Sequence, residues 1–236
     1  MLDTHPNLNA VHLNTVQVAV SGTTRLAPPT NRGPVNVSPR RNSTDIALIA
    51  AFAALTAVCA LLPAINVTGP VPVTLQTFAV LLSGALLGAR RGFLAVLLYV
   101  VAGAAGLPIF SGGASGLAVL TGPSAGYLVG FPFAAGLCGL LVQSFPRRTL
   151  SSAPLIFAAG LFSSAVFIHT CGMAGLVLRA DLSWSEAFNV DKVFWIGDVL
   201  KNVAMAVVAT AVHRAFPDLL GRVHRDASES EGALAS

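Results

Sequence analysis

An all-α integral membrane protein with six transmembrane helices is the architecture that the distribution of charge and the spacing of apolar runs predict. Of 236 residues, 54% are hydrophobic and only 10% charged, whereas an ordinary soluble domain carries about a quarter charged residues. Asp45 and Asp181 bracket more than a hundred residues without one carboxylate. The cations between them are the pairs Arg90-Arg91 and Arg147-Arg148 at apolar boundaries, and Arg179. So little charge cannot coat a globule in water, and paired cations at segment ends read as loops at a membrane face. The net charge of +4 is scattered over those ends and not clustered on one surface, which argues against nucleic-acid binding.

The six spans follow in order. The first runs from about Asp45 to Leu62, opened by the capping candidates Ser43 and Thr44 and stopped by Pro63. The second, Leu75 to Leu87, is short against the ~20 residues of a perpendicular span. The third, Arg91 to Gly106, ends before Pro108. The fourth, Gly126 to Ser144, carries Pro132, a candidate kink. The fifth and sixth, Ser152 to Leu178 and Asp191 to Phe216, are the longest. This gives a transmembrane domain over residues 45–216 between two tails. Residues 1–44 lack a charged start followed by an apolar stretch, so they read as a disordered cytoplasmic tail and not as a secretory signal. Residues 217–236 have too few large apolar side chains to fold alone and read as a second cytoplasmic tail.

Cationic loops stay cytoplasmic. Arg40-Arg41, Arg90-Arg91, Arg147-Arg148 and the group Arg214, Arg222 and Arg225 all fall on one side of a six-span topology. The alternate loops 63–74 and 107–125 carry no charge, so both termini are expected in the cytoplasm. Trp184 and Trp195 are then expected at the outer interface, which favours indole rings.

The sixth span places Asp198 and Lys201 three residues apart on one helical face, the two charges deep inside any span. Counted from Asp191 at ~1.5 Å per residue, they lie about 10 and about 15 Å below the outer edge. A charge at that depth costs at least ~2.5 kcal/mol before pairing. One reading is a mutually satisfied pair that fixes helix register; the other is a pair facing a polar cavity that holds a polar ligand. Asn202 is adjacent in sequence but about 100° round the helix, which makes it the weaker candidate. Two uncharged loops point to the same end. Gly69-Pro70-Val71-Pro72 hold a loop that delivers Thr74 and Gln76 to the start of the second span. The glycine-rich stretch from Gly106 to Tyr127, with Phe110, Gly112 and Gly113, offers tight turns, exposed backbone N–H groups and the length of a lid.

Other signals are negative or ambiguous. No Walker-type phosphate loop, H-E-x-x-H or G-x-S-x-G occurs, so the chain carries no motif for ATP hydrolysis or for these enzyme chemistries. Cys59, Cys138 and Cys171 lie singly in apolar runs with no metal-ligand spacing, so no metal is expected. His169 reads as a helix-packing hydrogen bonder. Gly84, Gly88 and Gly92, and Gly122, Gly126 and Gly130, repeat every four residues and read as packing stripes. Ala47, Ala50, Ala51 and Ala54, continued by Ala53 and Ala57, give the first span a small face that suits either internal packing or a partner protein.

The motifs from Pro70-Val71-Pro72 through Gln76-Thr77, then Leu-Leu-Ser-Gly-Ala-Leu-Leu-Gly-Ala-Arg-Arg-Gly, resemble the BioY family. So do Leu98-Tyr99, the run Gly103 to Phe110, and Gly122-Pro123-Ser124-Ala125-Gly126-Tyr127-Leu128; the resemblance covers about residues 45–215. It implies a biotin-capturing substrate-binding (S) subunit of an energy-coupling factor (ECF) transporter in a prokaryotic cytoplasmic membrane. Such a subunit is a six-helix bundle with an outward-opening ligand cavity. It catalyses no bond chemistry, needs no cofactor, and works with a transmembrane coupling (T) protein and two ABC-type ATPase subunits. The resemblance implies ligand contacts for Asp198 and Lys201, and Gln76, Tyr99 and the loop around Gly112 and Gly113 match its motif positions near the cavity; Phe110, Tyr127 and Asn202 join them as further candidate ligand-binding residues. It implies the coupling protein as the partner of Ala47, Ala50, Ala51 and Ala54. Ala114 and Ser115 stand where some relatives present a basic residue, which leaves the group for biotin's carboxylate open. A sister subunit for another vitamin would keep the fold and replace the outer-loop motifs, and a membrane-embedded enzyme would show several inward-facing catalytic groups. Homo-oligomer formation stays open.

Overall fold

The computed structural model describes residues 39–64, 71–146 and 152–216, with the backbone alone for 39–42. The tails 1–38 and 217–236, Gly69-Pro70 and Arg147-Arg148 lie outside the described residues. The first helix, α1 (Pro39–Leu61), begins six residues before the expected Asp45, inside what the sequence assigned to the tail. Pro39 supplies the fixed φ that suits a first helical turn. The next helical run, Gln76–Ala104, reverses at Gly88, which adopts φ 81° and ψ 179°. Gln76 Nε2 donates to the Tyr99 hydroxyl at 2.6 Å across 23 positions of sequence, a separation of about 35 Å in a straight helix. The run is therefore a hairpin of two antiparallel helices, α2 (76–87) and α3 (89–104), which completes the expected six. They are followed by α4 (Ala125–Ser144), which continues through Pro132, α5 (Ala153–Arg179) and α6 (Trp184–Ala215).

Backbone contact explains the sharp reversal. A Cβ at Gly84 would fall on the Ala135 carbonyl of α4, one at Gly139 on the Gly88–Ala89 backbone, and one at Gly92 on the Cα of Gly84. In lipid, where apolar burial against a neighbouring helix gains little, such close approach is a main source of helix association. The turn is closed by side chains. Gln143 Oε1 of α4 accepts from the Ala89 N–H at 3.1 Å, capping α3. Arg91 Nε donates to the Leu87 carbonyl at 3.1 Å, while its Nη1 pairs with Asp45 of α1 at 3.1 Å. Arg91 is thus a structural cation stitching three helices. On the far side of α4, Gly126 and Gly130 lie against the Cys171 and Phe167 carbonyls of α5, while a Cβ at Gly122 would meet only the Val119 and Ala118 carbonyls of its own loop, at ordinary contact distance.

The bundle is layered around α4, which packs on the hairpin and on α5; α1 covers the hairpin, and α6 closes against α5 and the hairpin. Two irregularities matter for the site. Ser164–His169 of α5 form a π-helical turn in which the Thr170 hydroxyl donates to the carbonyl of Ala165, five residues back, at 3.0 Å. Helix α6 begins at Trp184, seven residues before the expected Asp191, because Ser183 and Glu186 form a capping box: Glu186 N–H donates to Ser183 Oγ at 3.3 Å, and Ser183 N–H to Glu186 Oε2 at 2.8 Å. Asp198 is then fourteen residues into the helix, about 21 Å along it.

Candidate ligand-binding cavity

Helix α2 is about 18 Å long, well short of the ~30 Å hydrocarbon slab. Its start at Gln76 is therefore recessed at the end of the bundle away from Gly88, and residues 71–75 dip to meet it. Beneath them lies a cavity of about 160 Å³. One wall is polar, made by Thr74, Gln76, Thr77, His169, Asp198 and Lys201; the other is apolar, made by Phe110, Leu128, Phe131, Ile168 and Phe194.

The polar wall is a connected network. Asp198, 2% exposed, receives the Lys201 ammonium at 2.5 Å and the Thr77 hydroxyl at 3.0 Å, both on Oδ1. Lys201 also donates to the Thr74 carbonyl at 3.0 Å, tying the 71–75 loop to α6. Thr74 donates from its hydroxyl to Gln76 Oε1 at 2.8 Å, and Gln76 passes the chain on to Tyr99. On the other side of Asp198, His169 Nε2 lies 3.3 Å from Oδ2, a charge contact without the alignment of a hydrogen bond. His169 Nδ1 lies 3.0 Å from Asp191 Oδ1, which also accepts from the Tyr127 hydroxyl at 2.9 Å. Asp191 Oδ2 accepts from Trp195 Nε1 at 3.0 Å, and the Trp195 ring stacks on His169 with centroids 4.6 Å apart. A buried carboxylate is tolerable only when donors replace its water; Asp191, fully buried, has three such neighbours.

The Asp198 carboxylate has room for about four donors. Thr77 and Lys201 occupy Oδ1, so Oδ2 is the oxygen left to accept from a ligand N–H. The arrangement suits a compact ligand with polar N–H and C=O groups at one end and an apolar body. Above it, the 107–124 loop is a built roof. Phe110 packs edge-to-face on Tyr99 at 5.6 Å and over Gly103. Its own N–H donates to the Ala114 carbonyl at 3.0 Å around a turn in which Gly112 and Gly113 take φ 69° and 77°.

Of the residues singled out from sequence, Asp198, Lys201, Gln76, Phe110 and Tyr127 line the cavity. Tyr99 stands behind Gln76 and Phe110, one layer back. Gly112 and Gly113 shape the roof, whose cavity-facing members are Phe110, Ser111, Ala114, Val119 and Ser124. Asn202 corrects the expectation: its amide donates to the Asp198 main-chain carbonyl at 2.9 Å, and its Oδ1 turns to Gly160 of α5, away from the cavity. The Trp195 ring stacks on His169, while Trp184 is 60% exposed. Ala47, Ala50, Ala51 and Ala54 are all exposed, whereas Ala53 is buried and Ala57 half-buried on the adjoining side of α1. The six-alanine stripe is two faces, one packed and one open.

Sequence reasoning missed His169, Asp191 and Thr77. Asp191, Trp195, Asp198 and Lys201 follow a helical i, i+4, i+7, i+10 pattern, legible once Ser183-Trp184-Ser185-Glu186 is read as a capping box. The π turn that aims His169 between the two carboxylates has no comparable sequence signal.

Six spans around a half-polar cavity at one end define a multi-pass membrane protein built to hold a small molecule. The chain belongs to the BioY family, whose model matches residues 31–218. It is 37% identical over 185 residues to the biotin transporter BioY of Rhizobium etli, covering 77% of this chain and 99% of that one. It is 35% identical over 188 residues to the biotin transporter BioY of Rhodobacter capsulatus, covering 75% of this chain and 96% of that one. Its fold is similar to that in the 2.1 Å crystal structure of the S-component for biotin from an ECF-type ABC transporter, with a TM-score of 0.69 at 23% identity over 75% of this chain and 94% of that one.

Proposed function

We propose that this protein captures biotin from outside the cell as the S subunit of an ECF transporter, without a cofactor and without bond chemistry of its own. The observation that carries the reading is the Asp198–Lys201 pair presented to a cavity whose opposite wall is aromatic and aliphatic. Biotin's ureido ring carries two N–H donors and a carbonyl, its thiophane ring is apolar, and its tail ends in a carboxylate. Asp198 Oδ2 accepts a ureido N–H. Lys201 donates to the ureido oxygen or the tail carboxylate, while Phe110 and Tyr127 wall the rings and the Gly112–Gly113 turn closes over the tail. The names of the two relatives support biotin over another vitamin.

The open face Ala47, Ala50, Ala51 and Ala54 suits a second transmembrane protein, because small side chains let backbones approach. In this reading it receives the coupling protein, which joins two ATPases that drive release into the cytoplasm, where both termini lie. Titration calorimetry of the purified protein tests the ligand: selective heat with biotin and none with thiamine or riboflavin is expected. No biotin heat from folded protein overturns the reading.

A further inference from the structure

The ligand contacts assigned above end at Asp198, yet the structure places a second buried carboxylate and an imidazole behind it. His169 presents both ring nitrogens to carboxylates, Nδ1 at 3.0 Å from Asp191 Oδ1 and Nε2 at 3.3 Å from Asp198 Oδ2. A neutral imidazole has one N–H and one lone pair, so one of these contacts would set a lone pair against a carboxylate oxygen. Both contacts are attractive only when the trio Asp191, His169 and Asp198 holds one additional proton. Burial removes water as an alternative partner, since His169 is 1% exposed and Asp191 0%.

The groups that face the imidazole are few. From α6 come Asp191 and Asp198, with Lys201 on the far side of Asp198. From α4 comes the Tyr127 hydroxyl, which donates to the same Asp191 oxygen, and from α2 the Thr77 hydroxyl on Asp198. Trp195 covers the ring face. With the proton, Asp191, Asp198, His169 and Lys201 sum to zero charge; without it they carry one net negative charge at a cavity that must receive a carboxylate-bearing ligand.

We propose that Asp191 and His169 form a positioning pair whose proton must be in place for the ligand to bind, so that capture at this cavity is proton-linked. The inference rests on the biotin reading of the same cavity. The protonated ring leaves Asp198 a pure acceptor, with Oδ2 able to take a ligand N–H. Asp191 acts through the ring: its three donors fix the carboxylate, which in turn fixes the imidazole against Trp195. By linkage, a proton that strengthens ligand binding is itself held more tightly when ligand is bound.

The test uses the full-length protein with Trp184→Phe, which leaves Trp195 as the single tryptophan. A stacked imidazolium and a neutral imidazole quench an indole differently, so Trp195 fluorescence reports the proton on His169. Fluorescence is followed from about pH 5.5 to about pH 9.5 with and without saturating biotin, a range that spans histidine titration. Kd is measured by calorimetry across the same range. A fluorescence step that biotin moves to higher pH is expected, with Kd rising by about tenfold per pH unit between the unliganded and the liganded step and levelling off above both. His169→Gln is expected to abolish the step and flatten the profile, and Asp191→Asn to weaken binding and displace the step, with thermal unfolding confirming that each variant is folded. Biotin binding whose pH profile is the same in wild type and His169→Gln overturns the linkage alone. A folded wild type that binds no biotin at any pH overturns the biotin reading and the linkage with it.

Discussion

The two ends of the bundle are held by different chemistry. At the Gly88 end, backbone meets backbone: Gly84, Gly92 and Gly139 bring α2, α3 and α4 into contact, and Gln143, Arg91 and Asp45 close the turn. At the opposite end α4 and α5 still meet backbone to backbone at Gly126 and Gly175, but α2, α5 and α6 are joined around the cavity by long polar side chains, through Asp191, His169, Asp198, Lys201 and Thr74. Close-packed backbone has one arrangement and little freedom. A side-chain network can exchange one internal partner for a ligand group. The contrast assigns the frame to the glycine end and recognition to the polar end, and it predicts that substitutions at the two ends separate into stability effects and binding effects.

The largest effect is expected where the frame is tightest. Gly139→Leu would drive a side chain into the Gly88–Ala89 backbone. A loss of ~3 kcal/mol or more is expected, lowering Tm by roughly 10 °C in thermal unfolding. Asp198→Asn removes the charged acceptor. Biotin Kd by calorimetry is expected to rise roughly 30- to 100-fold, the equivalent of about 2–3 kcal/mol. Lys201→Met keeps the packing of the stem but loses the ammonium on Asp198 and on the Thr74 carbonyl. About a tenfold rise in Kd is expected by the same measurement. The smallest effect is on the frame again: Gln143→Ala uncaps Ala89. It is expected to cost about 1 kcal/mol in unfolding with Kd unchanged, because Gln143 lies at the Gly88 end.

The membrane class and six spans were legible because hydropathy and the placement of Arg90-Arg91 need no tertiary information. Asp198 and Lys201 were legible for the same reason, as charges where lipid penalises them. The start of α6 was misplaced because Glu186, Asp191 and Lys192 look like loop residues unless the capping box is given weight. Asn202 was the weaker candidate, turned about 100° round the helix from Lys201; its amide bonds the main chain one turn back and its Oδ1 faces α5. His169 was legible as a buried polar residue but not as a partner of Asp198, since its direction depends on a π turn that 3.6-residue periodicity does not encode. The alanines of α1 were legible as small, and only the packed bundle separates the exposed Ala47, Ala50, Ala51 and Ala54 from the buried Ala53.

The separation of frame from recognition is tested most directly by thermal unfolding of wild type and Asp198→Asn, each with and without saturating biotin. A ligand that binds the folded state raises Tm by mass action. Wild type is expected to gain several degrees with biotin, while Asp198→Asn unfolds within a few degrees of unliganded wild type and gains clearly less at the same biotin concentration. An undiminished biotin shift in Asp198→Asn, or its collapse to an unfolded protein, would contradict the account.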